Sequence, residues 1–186
     1  MRTEKEKCRA GELYDANYDA ALLAERQACA EMLYDLHQLR PSQAAERNAL
    51  FRRLLGMAGE RFSIALPFFC DYGYNIEIGD NFFANTNLVI LDEALVRFGD
   101  NVFIAPNCGF YTASHPLDAA LRRQGLETAR PITVGNDVWI GAGVAVLPGV
   151  TIGDRAVIGA GSLVTHDIPA GYLAYGNPCR PIRPIA

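Results

Sequence analysis

Apolar positions recur every six residues over the last third of the chain. From Val134 it reads VGNDVW, IGAGVA, VLPGVT, IGDRAV, IGAGSL, VTHDIP. The first place of each unit is held by Val134, Ile140, Val146, Ile152, Ile158 and Val164. The fifth is held by Val138, Val144, Val150, Ala156, Ser162 and Ile168. Neither a 3.6-residue helical period nor strict alternation gives this spacing. A six-residue unit is one short strand plus a corner, so the run predicts a parallel β-helix. The aliphatic first position points into the coil and the smaller fifth fits near a corner. Glycine at Gly135, Gly141, Gly153 and Gly159, with Asn and Asp beside them, eases the turns.

Upstream the same spacing is fainter. It begins after Pro67, with Ile78, Ala84 and Ile90 six apart, then Phe98, Ile104 and Phe110. Val102 and Cys108 take the fifth place. The step from Ile90 to Phe98 is eight, so residues 92–97 are read as a bulged corner. Residues 116–133, PLDAALRRQGLETARPIT, hold no unit and lie between Pro116 and Pro131, as an extruded loop would. Loops of that length on a regular scaffold are usually functional or disordered. After Asp167 the repeat stops, leaving a Pro/Gly-rich tail over residues 169–186.

The start of the chain has a different pattern. Leu22, Cys29, Met32, Leu33 and Leu36 fall at helical spacing between Asp19 and Leu39, with Glu25, Arg26, Glu31 and Asp35 between them. Arg40-Pro41 ends that helix. A second is expected from an N-cap at Ser42, with Leu50, Phe51, Leu54 and Leu55 on one face, closing at Gly56 to Gly59. Helices this short need a surface to pack on. The division is therefore a helical module at 1–60 and a β-helix at 61–186, mainly β overall.

Composition narrows the class of protein. A formal charge of −4 argues against nucleic acid as a main partner. Five cysteines without C-x-x-C spacing suit free thiols in a reducing cytosol better than disulfides or a zinc site. No stretch approaches a membrane span and the polar start is no signal peptide, so a cytoplasmic protein is expected.

Three histidines carry the candidate chemistry. His115 sits where a coil gives way to the long loop, and histidine exchanges protons near neutral pH. The bland alternative is a loop side chain bonded to a backbone carbonyl. His37 falls on the polar part of a helix and is expected to be solvated; His166 lies at the last corner. Asp71, Asn85, Asp92 and Glu127 are of types that orient a histidine or read hydroxyl groups. Asp80-Asn81, Asp100-Asn101, Asn136-Asp137 and Asp154 are better read as corner residues satisfying their own turns. Asp92 is less easily read so, because it interrupts the repeat. Arg180 and Arg183 flank Pro181 and suit a phosphate, or else form a basic solvated tail. The G-A-G runs at 141–143 and 159–161 belong to the hexapeptide pattern and are no nucleotide loop.

The segments CDYGYNIEIGDNFFAN (70–85), FIAPN (103–107), YTASHP (111–116), VWIGAGVAVLPGVTIGD (138–154) and GNPCRPIR (176–183) resemble the maltose and galactoside O-acetyltransferases. The start, EKEKCRAGELYDAN, resembles that family's N-terminal module. The resemblance implies a left-handed β-helix, a homotrimer with shared sites, acetyl-CoA as co-substrate and no metal. It implies His115 as the catalytic base with Asn85 beside the acceptor, and Asp15, Asp71, Asp92 and Glu127 around a small sugar. It places Trp139, Ala142, Ala160, Thr165, His166, Arg180 and Arg183 along the CoA groove. His166 stands where relatives often carry lysine, and Glu93 differs from some members. The rival readings are a γ-type carbonic anhydrase, which needs three histidines on zinc, a scaffold without activity, and an amine or lipo-oligosaccharide acceptor.

Overall fold

The computed structural model describes residues 2–185. Its body is a β-helix of short parallel strands stacked into three sheets. Sheet 1 stacks Met57–Ala58, Ile76–Ile78, Val96–Phe98, Ile132–Val134 and Thr151–Ile152. Sheet 2 stacks Phe62–Ile64, Phe82–Ala84, Phe103–Ile104, Trp139–Ile140, Val157–Ile158 and Tyr172–Gly176. Sheet 3 stacks Phe68–Cys70, Leu88–Leu91, Gly109–Tyr111, Ala145–Val146 and Leu163–Val164. The chain visits sheets 1, 2 and 3 in turn, completes five coils and begins a sixth.

The hexapeptide reading explains the interior. All six first-place residues from Val134 to Val164 and all six fifth-place residues from Val138 to Ile168 are buried. All but Ser162 belong to one continuous core with Phe82, Phe98 and Phe110, which fill the earlier coils. Burying such a side chain contributes roughly 1.5–3 kcal/mol, so this column is the main source of stability.

Each outward column has its own character. Sheet 1 presents Met57, Glu77, Arg97, Thr133 and Thr151, with Glu77 and Arg97 ion-paired at 2.7 Å. Sheet 2 presents Phe83, Phe103, Trp139, Val157 and Leu173 in register. Sheet 3 presents Phe69, Val89, Gly109, Ala145 and Leu163. One face is polar and two are apolar.

The corners differ as much as the faces. Corner 1–2 is a hydrogen-bond ladder. The backbone N–H of Asp80 donates to Asp100 Oδ1, that of Asp100 to Asn136 Oδ1, and that of Asn136 to Asp154 Oδ1. One residue on, Asn81, Asn101, Asp137 and Arg155 all adopt positive φ, and the Asn81, Asn101 and Asp137 side chains bond in sequence at 2.9 Å. Corner 2–3 repeats the device with Asn87 and Asn107 and then uses Gly143 and Gly161 at positive φ. There the next coil runs so close that a Cβ on Gly141 would lie 2.6 Å from the Ala160 nitrogen. Corner 3–1 carries the irregular segments, including the long excursion.

Several boundaries move from their expected places. The coil starts at Met57, not after Pro67, because Met57–Ala58 already pairs with Glu77–Ile78. Helix α1, Glu4–Arg9, is held by a capping box between Thr3 and Glu6. Helix α2, Ala20–His37, follows the expected spacing and is capped by Asp19. Helix α3, Ala44–Leu54, has Gln43 at its N-cap, not Ser42; the Gln43 side chain accepts from Arg40 N–H instead. Phe51 and Leu54 of α3, with Leu33 and Leu36 of α2, close the first coil against water.

Two segments expected to be irregular are ordered. The loop at 116–133 carries a short helix α4, Ala119–Arg123, and the strand Leu126–Ala129, while Ile132 and Thr133 already belong to sheet 1. Leu126–Ala129 runs antiparallel to Ala113–Ser114 on one side and to Tyr14–Asp15 on the other. The base of the excursion is closed by Arg130 N–H donating to the Thr112 carbonyl at 2.9 Å. The tail is a β-hairpin: Tyr172–Gly176 continues sheet 2, and Cys179–Pro184 folds back on it. His37 is not simply solvated. Its ring lies on Phe69, and Nε2 accepts the Phe68 N–H at 3.3 Å.

Candidate active site

Corner 3–1 gathers the titratable residues because each pass through it departs from the six-residue unit. The first pass supplies Asp71 and Tyr72, the second Asp92 and Glu93, and the third Thr112, His115 and the strand bearing Glu127. The N-terminal segment packs over them. Cys8, Tyr14, Ala16 and Leu22 form a second small core with Tyr72 and Ala129.

His115 stands at the rim, with 55% of its side chain exposed. The antiparallel register sets it opposite Glu127, and Nε2 lies 3.7 Å from Glu127 Oε1. Glu127 is buried, and its other oxygen accepts the Tyr14 hydroxyl at 3.3 Å. Burial raises the Glu127 carboxyl above its ordinary range, and the neighbouring His115 and the Tyr14 hydrogen bond oppose that rise. Burial likewise keeps Tyr14 protonated. A half-exposed imidazole facing a buried carboxylate can take a proton and have the resulting cation stabilised.

The other acids divide by role. Asp92, expected among the acceptor-binding groups, is fully buried and bonds the backbone instead. Its Oδ1 accepts the N–H groups of Asp71 at 3.0 Å and Tyr72 at 2.9 Å, and Oδ2 is buried without a partner. Burial pushes this carboxyl up to about 6 despite those hydrogen bonds. Asp92 therefore shapes the turn that carries Asp71. Asp15 also serves the backbone: Oδ1 accepts the Tyr18 N–H at 2.9 Å, and the strand pairing puts Asp15 opposite Leu126 while Tyr14 takes Glu127. Tyr14 is the N-terminal residue that reaches the histidine's partner.

Tyr14, Arg26, Tyr72 and Glu93 were not among the expected site residues. Arg26 donates to the Tyr72 hydroxyl at 2.7 Å and to the Ala16 carbonyl, tying α2 to the first pass of corner 3–1. No local pattern marks Tyr14, Arg26 or Tyr72, because the Arg26–Tyr72 and Tyr14–Glu127 pairs lie 46 and 113 positions apart in sequence.

The remaining expected residues fall on two separate edges of sheet 3. On the His115 side, Ser114 and Thr165 line one cavity of about 350 Å³, and His166 and Arg180 line another of about 280 Å³. Thr165 Oγ1 lies 2.7 Å from His166 Nδ1. Arg183 lies further along the hairpin, opposite Leu173, and is exposed. On the opposite edge, at corner 2–3, lie Asn85, Ala142 and Ala160. A cavity of about 230 Å³ there joins Asn85 to Phe83, Phe103 and Trp139. Within one chain, sheet 3 separates Asn85 and Trp139 from His115. The three histidines are also dispersed, and among the described residues no three metal-type side chains gather.

Comparison with known proteins now bears on this geometry. The family model for the maltose acetyltransferase hexapeptide capping motif matches residues 7–59. The model for the bacterial transferase hexapeptide, six repeats, matches residues 131–166. A maltose O-acetyltransferase from Clostridium difficile 630 is similar in structure, with a TM-score of 0.97 at 46% identity, covering 100% of this chain and 98% of the other. A galactoside acetyltransferase in complex with coenzyme A has a TM-score of 0.96 at 42% identity, covering 100% of this chain and 92% of that one. The galactoside O-acetyltransferase of Escherichia coli K12 is 44% identical over 180 residues, 97% of this chain and 88% of the relative. With the coils, the N-terminal module and the corner 3–1 excursion all matched at such coverage, the chain belongs to the hexapeptide-repeat acetyltransferases of the maltose and galactoside branch.

Proposed function

We propose that the protein transfers an acetyl group from acetyl-CoA to a hydroxyl of a small neutral sugar such as glucose, maltose or a galactoside. His115 is the general base. The observation that carries this reading is the half-exposed His115 imidazole facing the buried Glu127 carboxyl at 3.7 Å. Coenzyme A or acetyl-CoA in two of the similar structures supports the donor.

The chemistry follows from the residues. Neutral His115 takes the proton from a sugar hydroxyl as its oxygen attacks the thioester carbonyl carbon. The imidazolium so formed is stabilised by Glu127, which Tyr14 holds in place. The tetrahedral oxyanion needs a donor, and the main-chain N–H at Ala142 is of the right kind. As the intermediate collapses, the carbon–sulfur bond breaks and the thiolate recovers the proton from His115. Holding both substrates together makes a covalent acyl-enzyme unnecessary. Thr165, His166, Arg180 and Arg183 line the route for the pantetheine arm and phosphates of CoA, with arginine suited to phosphate.

The site is completed by a second copy of the chain in a homotrimer. Asn85 and Trp139 lie across sheet 3 from His115, and sheets 2 and 3 both present apolar columns. Such faces mark interfaces, and a heterologous contact between two faces closes into a ring. An edge with His115, Thr165 and Arg180 then meets a neighbour's edge with Asn85, Ala142 and Trp139.

Thiol release from acetyl-CoA, measured with a panel of sugars and amines, tests the acceptor. Higher kcat/KM for amines throughout the panel would reject the sugar reading. Complementation tests the shared site: inactive His115→Ala and Asn85→Ala proteins, unfolded together and refolded, should regain activity at mixed interfaces. No recovery in refolded mixed trimers would mean that one chain supplies both residues.

A further inference from the structure

The excursion at corner 3–1 is a ribbon with two faces. Side chains alternate along its paired strands, and Ser114 stands opposite Thr128. Glu127 and Ala129 turn inward, to Tyr14 and to the small N-terminal core. Ser114, Thr128 and Arg130 therefore share the other face. There they line a cavity of about 350 Å³ with Leu147, Pro148 and Thr165.

Among the described residues, Arg130 is the charged member of that lining and no acid joins it. Its backbone is fixed by the bond to the Thr112 carbonyl, and its side chain runs over the next coil. A Cβ on Gly149 would lie 3.5 Å from Arg130 Cβ and 3.3 Å from Arg130 Cδ. Among the described residues the guanidinium has no ion pair and no hydrogen bond. It also borders a cavity of about 460 Å³ with Arg9 and Glu93, and pairs with neither. Other arginines around the excursion are engaged. Arg122 donates to the Pro116 and Leu117 carbonyls, and Arg26 to the Tyr72 hydroxyl and the Ala16 carbonyl.

We propose that Arg130 holds the pantetheine arm of acetyl-CoA, donating to an amide carbonyl about one coil away from His115. This role rests on the donor groove proposed above. Reach decides which part of the donor Arg130 meets. His115 belongs to the third pass of corner 3–1, Gly149 to the fourth, and Thr165 and His166 to the fifth. Successive coils are stacked at the spacing of paired strands, so the guanidinium lies roughly 5 Å below the level of His115. In acetyl-CoA the first amide carbonyl carbon is about 5 Å from sulfur along an extended arm, and the diphosphate is about 15 Å away. With sulfur beside His115, the amide falls at Arg130 and the phosphates lie beyond it, toward Arg180.

The lining agrees with an arm of alternating methylene and amide groups. Leu147 and Pro148 offer apolar surface to the methylenes, and Ser114, Thr128 and Thr165 offer hydroxyls to the amides. An arginine N–H donated to a neutral carbonyl is a charge-assisted hydrogen bond, stronger than one between neutral groups. Fixing the arm next to the histidine aims the thioester as well as binding it.

Titration of the intact protein with CoA and with 3′-phosphoadenosine 5′-diphosphate, which carries the phosphates but no arm, tests this role without any acceptor. Arg130→Ala should weaken CoA about tenfold, the scale for losing one charge-assisted bond. It should leave the nucleotide at parental affinity, which also shows that the variant is folded. Arg180→Ala should weaken both ligands. Arg130→Lys should recover part of the loss, since an ammonium also donates. Unchanged CoA affinity in Arg130→Ala would overturn the role. Equal losses for both ligands would overturn it too, by placing Arg130 on a phosphate. A misplaced groove looks different: Arg180→Ala would then leave both affinities unchanged, and the role of Arg130 would fall with it.

Discussion

Corner 1–2 and corner 3–1 are built from the same residue types to different ends. At corner 1–2, Asp80, Asp100, Asn136 and Asp154 recur one coil apart, and each side chain satisfies a backbone N–H of the neighbouring coil. At corner 3–1 the acids do not recur in register, and burial raises the cost of charge on both Glu93 and Glu127. Repetition pairs every polar group with its counterpart in the next coil. Irregularity leaves groups whose needs are met by distant segments, or by a substrate. The comparison teaches where to look in a repeat protein: at the turns that break the ladder.

The largest effect expected from breaking this contrast is at His115. His115→Ala should lower turnover roughly 10²- to 10⁴-fold, the range for losing a general base. Its exposure means that thermal stability should change little. Turnover near the parental value in a thiol-release assay would remove it from the mechanism.

Asp92 should act oppositely, on stability first. Asp92→Ala strands two backbone N–H groups and should cost about 2–3 kcal/mol in denaturant unfolding. Asp92→Asn keeps the Oδ1 acceptor and should be far milder. The pH dependence has a definite sign. A carboxyl at about 6 when folded and about 4 when unfolded holds its proton more tightly in the native state. Its stabilisation is full below about pH 4 and is lost as pH rises through about 6, a change of about 3 kcal/mol. Asp92→Asn should flatten that part of the stability profile; an unchanged profile would contradict the burial argument.

Arg180→Ala should weaken CoA about tenfold while affecting dephospho-CoA less, as expected for a charge-assisted contact to phosphate. Equal losses for both ligands would place Arg180 elsewhere. Smallest is the ladder itself. Asn101→Ala removes two side-chain hydrogen bonds at a positive-φ position and should cost about 1–2 kcal/mol of stability. Its kcat/KM should stay at the parental level, and a fall would show that the two corners are coupled.

The contrast also explains what the sequence could disclose. Inward positions from Val134 to Ile168 were legible because the coil's cross-section is set by neighbours six residues apart. His115 stood out for a related reason, lying where the period fails. The ladder at Asp80, Asp100, Asn136 and Asp154 was legible as turn chemistry. Tyr14 and Glu93 were not, since Tyr14 meets Glu127 across 113 residues and Glu93 lines a cavity with Cys8 and Tyr14 from the distant start of the chain. The coil's early start at Met57 was missed although Ala58, Ile64 and Cys70 keep the six-residue step, because the longer step from Cys70 to Ile78 hides their phase. The tail hairpin lay beyond the repeat altogether.

The hydrogen bond from Arg130 N–H to the Thr112 carbonyl has a consequence for how such proteins diverge. It pins together the two ends of the corner 3–1 excursion, so the coils above and below do not depend on what lies between. The exposed stretch at 116–124, between the two paired strands, can be lengthened, shortened or rewritten at little more than a loop-closure cost, which grows only slowly with length. Descendants of one ancestral coil can thus diverge by editing a single insert while inheriting the coils unchanged.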